Sequence, residues 1–234
     1  KKKAEFVRSK RIISTTNHTT KMEEYKDFIS FIEESIKKNW DLDALTDYEG
    51  STLQYKDVAR KIEKLHILFE NAGVKKGDKI ALCGRNSANW SVAFMATLAY
   101  GAVVVPILHE FKAEQVHNIV NHSEAKILFA GDVVWPTLNA DEMPHLEGIV
   151  HIPDYSLLVS RTEQLTEARE RLNEFFGRKY PKFFRKEHVA YPNHPEANDL
   201  AMINYTSGTT SNSKGVMVPY RAMWSNYVFA EEKL

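Results

Sequence analysis

The sequence predicts an α/β fold of layered, parallel-rich sheets with flanking helices, and three observations carry that expectation. Short apolar runs alternate with segments of helical periodicity along most of the chain. The links between them are short. Of the 234 residues 43% are hydrophobic and 26% charged, a globular balance with enough apolar material for a sizeable core. Strand and helix alternating over short connections argue for a mainly parallel sheet covered by helices on both faces.

The first 21 residues stand apart. Lys1 to Lys3, Arg8, Lys10 and Arg11 precede a Ser/Thr/Asn run from Ser14 to Thr20, and no apolar periodicity runs through them. Because the first methionine is Met22, residues 1–21 read either as a basic polar leader or appended extension, or as a basic surface arm. From Tyr25, Phe28, Ile29, Ile32 and Ile36 recur at helical spacing. Thr52 to Tyr55 reads as a short strand. A second helix carries Val58, Ile62, Leu65 and Phe69 on one face, with Gly73 where a left-handed cap belongs.

Lys79 to Cys83 is a buried strand by composition. Asn86 to Leu108 contains no charged side chain and is long enough to span a bilayer. Its polar start and its breakers, Gly101 and Pro106, instead predict a core helix ending near Tyr100 and a strand from Val103 to Val105. Glu114 to Asn121 follows as helix, Lys126 to Ala130 as strand, and Gly148 to Ile152 as a weaker strand. Glu163 to Phe176 reads as one charged amphipathic helix closed by Gly177. The stretch through Pro181, Pro192 and Pro195 reads as a surface excursion. Asp199 to Tyr205 and Val216 to Val218 are strands around a loop, and Arg221 to Lys233 is helical.

Charge and composition exclude several function classes. Thirty-one basic residues balance thirty-one acidic ones, so no overall field draws the chain to nucleic acid, and membrane contact is at most peripheral. The single cysteine, Cys83, suits a buried strand, which fits a reducing cytoplasm. His109, His117 and His122 match no metal-ligand spacing and read as surface or helix-cap residues, so no metal site is expected. No G-x-S-x-G elbow appears. The glycosylation-like triplets at Asn17 and Asn121 read as chance matches. Trp40, Trp90, Trp135 and Trp224 are too scattered for a stacking platform.

The chemistry concentrates between Tyr205 and Gly215. Six of the eight residues from Thr206 to Ser213 carry hydroxyls, and Lys214 adds a cation. Small hydroxyl residues and glycine let backbone N–H groups converge on an anion, while the hydroxyls donate further hydrogen bonds. A Ser/Thr/Gly-rich hairpin is the plain alternative, since these are the default turn formers. Gly208 and Lys214 fit the spacing G-x-x-x-x-G-K-[ST], but Ser213 and Gly215 break it, which disfavours a Walker-type NTPase.

Tyr205-Thr206-Ser207-Gly208-Thr209-Thr210-Ser211-Asn212-Ser213-Lys214-Gly215-Val216 resembles the signature of the adenylate-forming superfamily, Tyr-Thr-Ser-Gly-Thr-Thr-Gly-x-Pro-Lys-Gly-Val. Nine positions match without a gap; Ser211 replaces the usual glycine and Ser213 the usual proline. Asp199 to Ile203 and Gly215 to Val218 resemble the strands around that loop, and Asn86 to Pro106 resembles an early helix and strand. Tyr220 stands where the family usually has histidine.

The resemblance is closest to bacterial long-chain fatty acyl-CoA synthetases. It implies that residues 22–234 form part of the large N-terminal, ATP-binding domain. Thr206, Ser207, Gly208, Thr209, Thr210 and Lys214 would bind the β and γ phosphates of Mg2+-bound ATP. A carboxylic acid would be activated to an acyl-adenylate and passed to coenzyme A. An aryl or amino acid substrate, or a nucleotide-binding or regulatory module without turnover, are the other readings. The family's adenine, ribose and magnesium contacts and its catalytic lysine fall beyond Leu234. No catalytic residue is therefore expected within these residues, and the 234 alone are expected not to complete adenylation.

Overall fold

A computed structural model describes residues 25–206 and 214–233. The order of elements is α1 (Phe28–Lys38), β1 (Asp43–Thr46), β2 (Thr52–Gln54), α2 (Tyr55–Asn71), β3 (Lys79–Cys83), α3 (Ala88–Tyr100), β4 (Val103–Ile107), α4 (Ala113–Ser123), β5 (Ile127–Ala130), β6 (Gly148–His151), β7 (Leu157–Ser160), α5 (Glu163–Glu170), α6 (Leu172–Lys179), β8 (Leu200–Thr206), β9 (Lys214–Pro219) and α7 (Tyr220–Lys233).

Seven strands form one sheet in the order β7-β6-β5-β3-β4-β8-β9, while β1 and β2 pair separately as a small antiparallel hairpin. The five inner strands are parallel; β7 and β9 run antiparallel at the two edges. Side chains alternate across the sheet. Ile80, Leu82, Val104, Ile127 and Phe129 join one core with residues of α1, α2 and α3, and Ala81, Cys83, Val105 and Leu128 join a second core with residues of α4. The expected α/β class with helices on both faces is what the chain adopts.

Local chemistry sets the helix ends. Asp27 accepts from the Ile29 amide at 3.0 Å to start α1, and Ser87 accepts from Trp90 at 3.1 Å to start α3. Helix α3 ends at Gly101, whose φ of 97° only glycine adopts readily. Seven of its 13 residues are buried, and no helix among the described residues is long and apolar enough to cross a membrane.

Several expectations need correction. Pro106 does not end β4, which continues to Ile107. Beside β8 the register holds only at Val104↔Met202, so the missing proline N–H falls where that neighbour has already diverged. The helix expected over Glu163 to Phe176 is two helices broken at Arg171, and Gly177 lies inside the second. Strands β1 and β7 were not expected.

The proline-punctuated stretch is also more than a surface excursion. Val189, Tyr191, Asn193 and Pro195 are buried in alternation with exposed neighbours. The backbone amides of Tyr191 and Asn193 donate to Glu33 Oε2 at 2.9 Å and Ala99 O at 3.2 Å, so the strap ties α1 to the end of α3. The expectations for residues 1–21 lie outside the described residues.

Candidate phosphate-binding site

Strands β8 and β9 form an antiparallel hairpin at the edge of the large sheet, with Tyr205↔Gly215 and Thr206↔Lys214 as its last registered pairs. This pairing defines the site. Thr206 and Lys214 face each other where the loop begins and ends, and both are exposed. Of the six expected phosphate contacts, Thr206 and Lys214 are thus brought together; Ser207, Gly208, Thr209 and Thr210 lie outside the described residues. A hydroxyl donor and a cation on the pair that closes the loop suit a group of anionic oxygens.

Behind this pair the hairpin is anchored to the core. Tyr205 is 5% exposed, and its hydroxyl lies 2.7 Å from His122 Nδ1 in the last turn of α4. The rings meet edge to face, with centroids 5.7 Å apart. Burial raises the Tyr205 pKa above its usual value, so the phenol stays protonated near neutrality. His122 is exposed, as expected, yet it holds the residue that precedes the loop. The sequence reading missed this contact; 83 residues separate the partners, and no local pattern marks it.

Gly215 has a spatial reason. A Cβ there would lie 2.8 Å from Ile203 Cγ2 and 3.0 Å from Tyr205 Cζ, so the cross-strand tyrosine ring occupies the place of a side chain. Close approach, rather than a left-handed backbone, selects glycine at this position.

Tyr220 turns inward. It is 2% exposed; its hydroxyl donates to Leu98 O at 3.3 Å and accepts from Asn193 Nδ2 at 2.9 Å. That geometry offers no group to a surface ligand. Its amide donates to Asp199 O at 3.0 Å, which turns β9 directly into α7.

The remaining candidates are structural. The His117 Nε2 accepts from the Asn139 amide at 3.1 Å, and no cluster of three or more metal-ligating side chains occurs among the described residues. Cys83 is buried and its thiol is pushed up to about 12 by desolvation, which makes it unreactive. Asn121 donates to Glu142 O at 2.7 Å.

Comparison with known proteins follows the same outline. The family model described as AMP-binding enzyme matches residues 32–233. Long chain acyl-CoA synthetase 3 of Arabidopsis thaliana is 28% identical over 164 residues, covering 70% of this chain and 24% of its own length. Long-chain-fatty-acid–CoA ligase 1 of Cavia porcellus is 27% identical over 188 residues, covering 74% of this chain and 26% of its own. The crystal structure of a long-chain-fatty-acid-CoA ligase from Archaeoglobus fulgidus shares the fold, with a TM-score of 0.65 at 19% identity over 88% of this chain and 39% of that one. The chain spans about a quarter of the length of these two curated relatives.

Proposed function

Because this chain belongs to the AMP-binding enzyme family, we propose that it supplies the phosphate-binding part of an AMP-forming acid–thiol ligase. The observation that carries the reading is the Thr206↔Lys214 pair at the mouth of an anchored hairpin. Thr206, Ser207, Gly208, Thr209, Thr210 and Lys214 hold the β and γ phosphates of ATP, which arrives as its Mg2+ complex. Backbone and hydroxyl donors spread over the phosphate oxygens, and the Lys214 ammonium offsets charge that builds on pyrophosphate as it leaves.

The substrate carboxylate attacks the α phosphorus, an acyl-adenylate forms, and coenzyme A then takes the acyl group. Positioning two anions and neutralising the leaving group is the chemical task, and it needs no covalent enzyme intermediate. A long-chain fatty acid is the favoured substrate, supported by the names of the two curated relatives. A cytoplasmic location fits a single, buried cysteine. The 234 residues alone bind the phosphates without completing adenylation.

Pyrophosphate exchange by the protein, run with fatty, aryl and amino acids in parallel, tests the substrate class. Exchange dependent on a long-chain fatty acid supports the reading. Exchange driven only by an aryl or amino acid replaces the substrate, and ATP-dependent acyl-CoA formation by residues 1–234 alone overturns the last statement.

A further inference from the structure

A second concentration of positive charge lies at the opposite edge of the large sheet from β9. Between α2, the α5–α6 pair and the turn after β6, a cavity of about 420 Å3 is lined by Arg60, Lys61, Lys64 and Arg169, with Leu68 and Leu172 as buried parts of its wall. Arg60, Lys61 and Lys64 come from α2, and Arg169 joins them from α5, far along the chain. Convergence of this kind is not the solvated face of one helix.

Two carboxylates share the cavity, Asp57 and Asp154, and both are already engaged. Asp57 Oδ2 accepts from the Gln54 amide at 3.0 Å to start α2, and its Oδ1 stands 3.7 Å from Arg60. Asp154 Oδ1 accepts from the Ser156 amide at 3.0 Å and the Ser156 hydroxyl at 2.7 Å, with His151 Nδ1 at 3.2 Å. Among the described residues, Lys61, Lys64 and Arg169 form no ion pair.

Instead they lean on neutral groups. Lys64 donates to Asn173 Oδ1 at 2.9 Å, the Lys61 ammonium stands 5.5 Å from the centre of the Tyr155 ring, and Arg169 Nε donates to Tyr155 O at 2.6 Å. Burial first, and then the charges of Arg60, Lys61 and Arg169, lower the Lys64 pKa. Four cations outnumber two carboxylates that are already engaged, and that excess of positive charge favours an anion.

We propose that this cleft binds a phosphomonoester carrying a small apolar group, its phosphate against Lys61, Lys64 and Arg169 and its apolar part against the half-buried Leu53. A dianion offers acceptors for all three cations at once, and the leucine wall makes the ester tighter than the bare ion. The site is separate from the loop that ends at Lys214.

Titration of the 15N-labelled chain with phenyl phosphate, with inorganic phosphate, and co-sedimentation with vesicles containing phosphatidic acid test the proposal. Saturable shifts are expected on α2 and α5, with phenyl phosphate binding more tightly than inorganic phosphate. A Lys61→Gln/Lys64→Gln variant should bind about tenfold or more weakly, and Lys38→Gln, an exposed cation outside both sites, should leave binding unchanged. If the double variant fails to fold, Lys61→Gln alone reads part of the same loss, at roughly threefold. Binding to vesicles alone, with no shifts from phenyl phosphate, contradicts a small ester and overturns the proposal. No binding of any probe, binding that survives the charge removals, or shifts confined to the hairpin around Lys214 overturns the proposal.

Discussion

Replacing Gly215 by alanine places one methyl group in a tightly filled spot beside the loop. The new Cβ would sit 2.8 Å from Ile203 Cγ2 and 3.0 Å from Tyr205 Cζ, inside normal contact distance for both. Both neighbours are on β8, and because β-branched Ile203 is stiff at χ1 the Tyr205 ring has to move. Overfilling a packed site costs about 1–3 kcal/mol, and a displaced ring loses its 2.7 Å bond to His122, worth about 1 kcal/mol. The sum, about 2–4 kcal/mol, corresponds to a fall in melting temperature of roughly 5–15 °C for a chain of this size.

Thermal unfolding by circular dichroism measures that fall, and ATP binding by calorimetry should weaken with it because Tyr205 precedes Thr206. A Gly215→Ala variant with the parent melting temperature would refute the packing argument. Lost stability with unaltered ATP binding would refute the link from Tyr205 to the loop.

Two other predictions concern the core that supports the site. His66 is buried, and its Nε2 donates to Ala96 O at 2.9 Å; burial lowers its pKa from 6.5 to about 4. The unfolded chain therefore binds this proton at higher pH than the folded chain does, so stability is full above pH 6.5 and falls by about 3 kcal/mol as pH drops towards 4. Urea unfolding at pH 7.5 and 4.5 should show that His66→Gln, which keeps a donor to Ala96, removes this part of the acid sensitivity; an unchanged slope would assign it to other groups. Tyr220→Phe deletes the hydroxyl between Leu98 O and Asn193 Nδ2 and should cost about 1–3 kcal/mol in urea unfolding; a neutral result would show the hydroxyl is not part of a buried network.

Much of the fold was legible because burial and periodicity coincide. Lys79 to Cys83 reads as a strand from composition and is one, the first two helices follow their apolar spacing, and the third runs between its polar start and Gly101. Legibility fails where a tertiary partner decides. Nothing at Arg171 announces a break between α5 and α6, since neither glycine nor proline stands there. The four-residue strands β1 and β7 are partly exposed and carry little periodic signal.

The strap from Val189 to Pro195 shows the opposite failure. Its prolines suggest a surface loop, while burial at every second residue depends on Glu33, Leu98 and Ala99, which are distant in sequence. For the candidate site, the order of residues marks the loop as a candidate, because hydroxyls, glycines and one lysine stand in a recognisable sequence, and the structure brings Thr206 and Lys214 together at its ends. The reason for Gly215 and the contact between His122 and Tyr205 belong to cross-strand and helix–strand packing, which no local pattern encodes.

We propose above all that the loop closed by Thr206 and Lys214 holds the phosphates of ATP. Calorimetric titration of Mg2+-ATP into the chain and into its Lys214→Ala variant tests it most directly, with Lys61→Gln/Lys64→Gln as the control for the other cationic cleft. Binding that weakens about tenfold or more in Lys214→Ala and is unchanged in the control is the predicted result. Equal affinity in all three proteins, or a loss confined to the control, would contradict it.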